Sequence, residues 1–139
     1  MIVGGYLSVI YRQRQNFMRE RLQNLDIGVT DYPILLILGH REGLGCNEIS
    51  KKYFINKSLV SKSISKLITL GYLEQRRDPD HKQRLNTYLT PRGRKVIPEI
   101  RSYSREWEDE FMGGMTPEER EVLKKLLSKI YERSLDYLD

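Results

Sequence analysis

Apolar residues between Ile55 and Gly71 fall on one face of a predicted helix. Val60, Ile64 and Leu67 recur at spacings of four and three, the period of a helix with one buried side. Asn56 stands where an N-cap is expected, and Gly71 where a helix commonly ends. The opposite face is cationic and rich in hydroxyl groups, with no acidic residue. Its members are Lys57, Ser58, Ser61, Lys62, Ser65 and Lys66.

Three helices are predicted before this one. The first covers about residues 3–24, with an imperfect apolar stripe that Arg14 interrupts. The second covers about residues 30–40, with Thr30 as its N-cap and the core-like run PILLIL inside it. The third is short, about residues 47–53, and would bury Ile49 and Tyr53 at a spacing of four. The chain up to Gly71 is therefore predicted to be helical.

After Gly71 the spacing of the apolar residues changes from a helical period to strict alternation. The runs YLEQRR and LNTYLT alternate at period two, and the turn-rich segment DPDHKQ separates them. This pattern predicts a β-hairpin. Basic residues occupy its tip and flanks: Arg76, Arg77, Lys82 and Arg84.

Two more helices follow the hairpin. Thr90 and Pro91 provide a cap and a first helical position, and Pro98 is expected to bend the helix that they begin. The segment TPEE at Thr116 is a capping box that opens the last helix. The last helix has an apolar band too wide for a single neighbour: Val122, Leu123, Leu126, Leu127, Ile130, Tyr131, Leu135 and Leu138.

The charge of the chain is concentrated in its middle. The formal net charge is +5, but residues 51–94 contain eleven Lys and Arg against three Asp and Glu, a net of +8. A basic region of this kind is the electrostatic signature of a module that binds a polyanion. The simpler alternative is a solvated charged face without a partner.

The sequence gives no support for a membrane protein, a secreted protein or an enzyme. The longest apolar run, from Tyr32 to Leu38, is too short to cross a bilayer, and the N-terminus lacks a signal-peptide pattern, so a cytoplasmic protein is expected. No nucleophile motif, phosphate-binding glycine loop or metal signature is found, since His40 and His81 lack ligand partners at a suitable spacing. We therefore expect neither an enzyme nor a cofactor. Cys46 is interpreted as a structural thiol, with redox sensing as the alternative.

Two helices joined by a short turn and followed at once by a basic hairpin form a winged helix-turn-helix. In that design the second helix enters the major groove of DNA, and the hairpin wing reaches the neighbouring backbone or minor groove. The fold class expected here is mainly α with a small β-hairpin wing. A protein-interaction module that meets an acidic protein, or an RNA-binding winged helix, is the alternative function.

The run NEISKKYFINKSLVSKSISKLITLGYLEQRRDPDHKQRLNTYLTPRG resembles the DNA-binding core of the MarR family of transcriptional regulators, most clearly in GYLEQRRD and YLTPRG. The resemblance implies a single MarR-like domain over residues 1–139. Its winged helix-turn-helix lobe would cover about residues 30–90, between dimerisation helices at about 1–25 and 91–139. It further implies a homodimeric repressor that binds a pseudo-palindromic DNA operator and responds to a small, often phenolic, effector.

The same resemblance assigns site residues. The groove-facing side of the recognition helix would be Lys57, Ser58, Ser61, Lys62 and Ser65, and the wing would use Arg76, Arg77, Lys82 and Arg84. The resemblance does not assign the residues that would contact an effector, and Arg14, Tyr32 and Tyr103 are the candidates suggested here.

Two positions depart from the family pattern. The usual Asp and Arg of the wing fall on His81 and Gln83 here, so Asp80 paired with Lys82 or Arg84 is the expected substitute. Phe54 occupies a turn position where a small residue is common.

Overall fold

A computed structural model of the chain describes residues 1–137. Its helices are α1 (Val3–Leu22), a 3-10 turn (Gln23–Leu25), α2 (Tyr32–His40), α3 (Cys46–Tyr53), α4 (Lys57–Thr69), α5 (Pro91–Phe111) and α6 (Pro117–Tyr137); its strands are β1 (Leu73–Arg77) and β2 (Leu85–Leu89). The predicted fold class, mainly α with one hairpin, is confirmed. Leu138, which the sequence places on the apolar band of the last helix, lies outside the described residues.

The chain divides into two compact units. The first is Met1–Ser104, and the second begins at Arg105, within α5. The expectation of one domain with dimerisation helices at both ends stays a prediction. The hydrophobic core of the first unit is formed by completely buried side chains from several elements, among them Leu22, Leu35, Ile49, Leu67 and Ile100.

Local signals set both ends of α4, as the sequence predicts. The Asn56 side chain accepts hydrogen bonds from the backbone N–H groups of Ser58 and Leu59, at 2.9 and 3.4 Å. At the other end Gly71 adopts a left-handed φ of +85°. The Tyr72 N–H then bonds to the Leu67 carbonyl at 2.9 Å, which closes the last turn of the helix.

The prediction of Thr30 as the N-cap of α2 is wrong. The helix begins at Tyr32, after Asp31, and the Gly28 carbonyl accepts from the backbone N–H groups of both residues. The Asp31 carboxylate receives the Gly28 N–H at 2.7 Å, so Gly28 and Asp31 close a turn before the helix. The Thr30 carbonyl instead accepts the Ser63 hydroxyl at 3.3 Å.

The hairpin pairs its strands in antiparallel register, from Leu73 opposite Leu89 to Arg77 opposite Leu85. Leu44 adds a short bridge on the outer side of β2, where the Thr87 N–H donates to its carbonyl at 2.9 Å. This bridge fastens the loop between α2 and α3 to the hairpin.

The first turn of α5 is joined to the end of α4. The Thr90 hydroxyl donates to the Gly71 carbonyl at 2.6 Å and accepts the Gly93 N–H at 3.1 Å, as expected of a cap. The Arg92 guanidinium donates to the Leu70 carbonyl at 2.8 Å. A Cβ atom on Gly93 would lie 2.1 Å from the Tyr72 carbonyl oxygen, so only glycine fits at this crossing. The helix continues through Pro98 to Phe111.

In the second unit the predicted capping box opens α6. The Thr116 hydroxyl accepts the Glu119 N–H at 3.1 Å, and the Glu119 carboxylate accepts the Thr116 N–H at 3.0 Å. Over its described length α6 contains no buried residue. Five large apolar side chains on it are 40–56 % exposed: Val122, Leu126, Leu127, Ile130 and Tyr131.

Within residues 1–137 no helix is both long enough and apolar enough to span a bilayer.

Candidate nucleic-acid interface

The outer face of α4 is formed by side chains that reach solvent. All five residues assigned to the groove-facing side lie exposed, and the whole helix contains no acidic residue. They are Lys57, Ser58, Ser61, Lys62 and Ser65. Short hydroxyls between long lysines allow close approach to base edges and phosphates at the same time.

The inner face of α4 is fixed inside the chain. Val60, Ile64 and Leu67 are buried, as their spacing predicts. Ser63 is also buried, and its hydroxyl donates to the Asp31 carboxylate at 2.7 Å. These contacts settle the rotation of α4 about its axis and so decide which residues point outward.

Lys66 differs from the other lysines of α4. Its ammonium group pairs with the Asp31 carboxylate, Nζ to Oδ2, at 2.7 Å. Lys66 is exposed, as its place on the cationic face predicts, but its charge is already paired. The pair instead fastens the middle of α4 to the start of α2.

Asp31 remains a charged carboxylate despite its burial. Burial by itself raises the pKa of an acidic group, but hydrogen bonds from Lys66, Ser63 and the Gly28 N–H favour the charged form. The pKa of Asp31 is consequently lowered from its ordinary value. The contact thus depends on an ionised carboxylate, 3 % exposed, with three donors around it.

The turn between α3 and α4 contains an aromatic residue in an unusual conformation. Phe54 has a φ of +54°, and its side chain is about half exposed. The Ser50 hydroxyl donates to the Ile55 carbonyl at 2.7 Å, and the Ile55 N–H donates back to the Ser50 carbonyl at 3.2 Å. This reciprocal pair holds the turn closed although Phe54 stands where glycine would be less strained.

The wing cations all lie at the surface, but they have different partners. Arg76 pairs with Glu74 on its own strand and stacks over the Tyr88 ring at 4.3 Å. Arg77 donates to the Lys82 carbonyl at 2.8 Å across the hairpin tip. Of the ion pairs found among residues 1–137, none involves the Lys82 ammonium.

Arg84 lies in the turn of the wing, directly before β2, in contact with two acidic side chains. Its guanidinium pairs with Glu48 of α3, and its Nε lies 3.9 Å from an Asp78 carboxylate oxygen. The expectation that Asp80 pairs with Lys82 or Arg84 is wrong, because Asp78 takes that place. The Asp80 N–H instead donates to Asp78 at 2.8 Å, and this bond, with a second from Asn86, lowers the pKa of Asp78.

A cleft of about 730 Å³ opens between α4, the start of α3 and the wing. Two of the assigned residues, Ser61 and Ser65, line it from α4, and Arg84 lines it from the wing. Sequence reasoning did not assign Glu48 or Gln75, which also line it. Glu48 reaches the wing through its pairing with Arg84, 36 residues later, and no local pattern signals such a contact.

Two of the residues suggested for an effector, Arg14 and Tyr32, are in direct contact. The Arg14 guanidinium donates to the Tyr32 hydroxyl at 2.6 Å and to the Ser104 hydroxyl at 3.3 Å. Tyr32 is buried, and burial raises the pKa of its hydroxyl although Arg14 opposes the shift. Tyr103 donates to Glu99, one turn earlier on α5, at 2.8 Å.

Comparison with known proteins gives matches over most of the chain. The model of the family described as MarR family matches residues 25–84. The HTH-type transcriptional regulator BilQ of Clostridium symbiosum is 25 % identical over 127 residues, which cover 91 % of this chain and 88 % of BilQ.

Two solved structures are similar in fold. A MarR transcriptional regulator from Methanosarcina mazei Go1 superposes with a TM-score of 0.93 at 24 % identity, covering 97 % of both chains. A mutant MarR from E. coli complexed with operator DNA superposes with a TM-score of 0.81 at 19 % identity, covering 92 % of both chains. At these identities the likeness shows the fold.

Proposed function

Because residues 25–84 match the MarR family model, we propose that this chain is a MarR-family transcriptional regulator that binds a pseudo-palindromic operator in double-stranded DNA as a homodimer. The recognition helix is α4, and the hairpin of β1 and β2 is the wing. We further propose that it acts as a repressor whose DNA affinity responds to a small aromatic effector.

The observation that carries this proposal is the exposed face of α4. Five lysine and serine side chains point outward from a helix whose rotation is fixed by buried apolar contacts and by Asp31. A carboxylate on this face would repel phosphates, and the helix has none. Lys57 and Lys62 supply charge for phosphate contacts, and the three serines supply hydroxyl groups for base edges.

A homodimer is supported by the uncovered apolar side chains of α6. Side chains such as Leu126 and Ile130 are about half exposed, which is unfavourable in water for a contiguous apolar band. A second copy of the chain that covers this band would set the separation of two recognition helices. Half-sites about 10 base pairs apart follow from that geometry.

Regulation by an effector would act on this separation. An effector shifts the equilibrium only if it prefers the arrangement that cannot bind DNA. The partly buried cluster of Arg14, Tyr32 and Ser104 offers a cation and two hydroxyl groups to such a ligand.

The charge reversal Lys62→Glu tests the recognition-helix assignment. Each half-site would lose one cation and gain one repelling charge, so we expect operator affinity to fall about 100-fold. Affinity is measured by fluorescence anisotropy on a duplex selected from a random pool. Sedimentation should show the same oligomeric state as the unmodified protein.

Lys95→Glu is the matched control, since Lys95 is an exposed lysine on α5 outside the proposed face. It makes the same change in net charge, and we expect it to weaken binding only slightly. Equal losses for the two variants would contradict the assignment. Tighter binding to duplex RNA, or to an acidic protein but not to DNA, would favour the alternative functions.

A further inference from the structure

One apolar side chain interrupts the polar surface at the start of α4. Leu59 is the third residue of the helix and is 43 % exposed. It cannot turn inward, because Val60 and Ser63 fill the buried side of the same turns. The Asn56 cap receives the Leu59 N–H and fixes the backbone at this point. The leucine is therefore held at the surface beside Ser58 and Lys62.

The position of Leu59 distinguishes it from an ordinary exposed apolar residue. Single exposed leucines are common on protein surfaces and need no function. Base edges, however, are contacted mainly by the first residues of a recognition helix, and Leu59 lies in the first turn. Ile68, the other large exposed apolar side chain on this fully described helix, lies in the last turn.

The composition of α4 narrows what the helix can read. Its sequence KSLVSKSISKLIT contains no Arg, Asn or Gln, the side chains that recognise guanine or adenine by paired hydrogen bonds. Of the side chains that read bases in this way, it has only lysine, which contacts guanine. Serine hydroxyls can donate or accept and so discriminate weakly between bases. An apolar side chain recognises one group in the major groove, the C5 methyl of thymine.

We propose that Leu59 is a specificity-determining residue that packs against the C5 methyl group of a thymine in each operator half-site. This inference rests on the proposed function. It predicts that the operator requires thymine at one position in each half-site, opposite the first turn of α4. The nearby charge of Lys62 contributes affinity there without choosing the base.

The test removes the methyl group from the DNA and the side chain from the protein. An operator is selected from a random duplex pool, and each thymine is replaced in turn by deoxyuridine, which pairs identically but lacks the methyl. For the unmodified protein we expect one position per half-site at which this exchange weakens binding about fourfold, the value of one buried methyl group.

The same duplexes are then tested with variants of the protein. Leu59→Ala should bind the thymine and deoxyuridine duplexes equally, whereas Leu59→Met, which keeps an apolar side chain, should retain most of the difference. Ile68→Ala is the matched control and should behave as the unmodified protein does. Because Leu59 is not one of the buried core residues, its truncation should leave the protein folded.

Each remaining result contradicts the inference. Specific DNA binding with no position sensitive to deoxyuridine, or the same sensitivity in Leu59→Ala, would overturn the role of Leu59 and leave the proposed function intact. A folded Leu59→Ala protein that binds no DNA would also overturn it, since a methyl contact is too small to cause that loss. Absence of any sequence-specific DNA binding by the unmodified protein would overturn both proposals.

Discussion

Helices α4 and α6 are both amphipathic, but the apolar side of α4 is buried within the chain and that of α6 is exposed. In α4 the apolar side is covered by the chain itself: Val60, Ile64 and Leu67 are buried, and the polar side faces outward. In α6 the described residues include no buried one, and Leu126 and Ile130 stay about half exposed.

This difference indicates that the two helices suit different kinds of partner. A helix that has already covered its apolar side offers a polar and charged surface, which suits a polyanion whose contacts are electrostatic and specific. A helix with an uncovered apolar band gains most from burying that band against another apolar surface. Within one chain, therefore, α4 is suited to DNA and α6 to a second protein surface.

The largest effect is expected from a charge on the apolar band of α6. In the proposed dimer Leu126→Asp would bury an unpaired carboxylate in each subunit, so we expect the dimer dissociation constant to rise at least about 1000-fold. Operator binding should fall with it, because a single half-site contributes only part of the affinity. Sedimentation over a range of protein concentrations measures the dissociation constant.

Ser128→Asp is the control for this change. Ser128 is exposed on the same helix, away from the centre of the band, and its hydroxyl donates to Glu132 at 3.2 Å. Repulsion between Glu132 and a carboxylate at position 128 should cost only about 0.2–0.5 kcal/mol and cause no dissociation. If Leu126→Asp leaves the oligomeric state unchanged, the exposed apolar band of α6 is not the dimer surface.

A smaller effect is expected where α4 is fastened to α2. Asp31→Asn keeps the shape of the side chain but removes the charge that Lys66 and Ser63 contact, and we expect the free energy of unfolding to fall by about 1–3 kcal/mol. Urea unfolding measures this change. Lys124→Gln provides a comparison, since Lys124 pairs with Glu121 at an exposed site and should matter little. Equal effects would mean that the Asp31 contact does not hold α4.

The same variant gives a pH dependence with a defined sign. The pKa of Asp31 is lowered in the folded chain, so the carboxylate stabilises the fold above its unfolded pKa of about 3.9. This contribution is lost as the pH falls below that value, through the folded pKa. The difference in stability between the unmodified protein and Asp31→Asn should therefore be constant near neutral pH and shrink in acid. A difference that grows in acid would contradict the assignment.

The smallest effect concerns the wing. Lys82 has no acidic partner among the described ion pairs, whereas Arg84 is held by Glu48 and Asp78. We expect Lys82→Ala to reduce the slope of log affinity against log salt by up to about 1.8 for two half-sites, and Arg84→Ala to reduce it less. Binding isotherms at several salt concentrations measure both slopes. If Arg84→Ala reduces the slope more than Lys82→Ala does, Arg84 and not Lys82 is the phosphate contact.

Features set by neighbouring residues were predictable from the sequence, and features set by distant residues were not. The Asn56 cap, the left-handed Gly71 and the Thr116 capping box each depend on groups within a few positions, and all three are confirmed. The start of α2 is an exception, since the turn that Gly28 and Asp31 close before it is local and was missed. The contacts of Asp31 with Ser63 and Lys66 join residues more than 30 positions apart, and no local pattern signals them.

The candidate site shows the same limit. Periodicity placed the five lysine and serine residues of α4 on one face, and all of them are exposed. It did not indicate that Lys66 is paired with Asp31 or that Arg84 is paired with Glu48. Charge counts locate a basic region, but only the folded chain shows which cations already have a partner.

The crossing of Gly93 over the Tyr72 carbonyl has a mechanical consequence. With no side chain between them, and with Thr90 and Arg92 bonded to the carbonyls of Gly71 and Leu70, the first turn of α5 lies in direct contact with the end of α4. We expect a rotation of the first turn of α5 to turn α4 with it. In the proposed complex with DNA, the angle at which α4 enters a groove would therefore depend on the orientation of the first turn of α5.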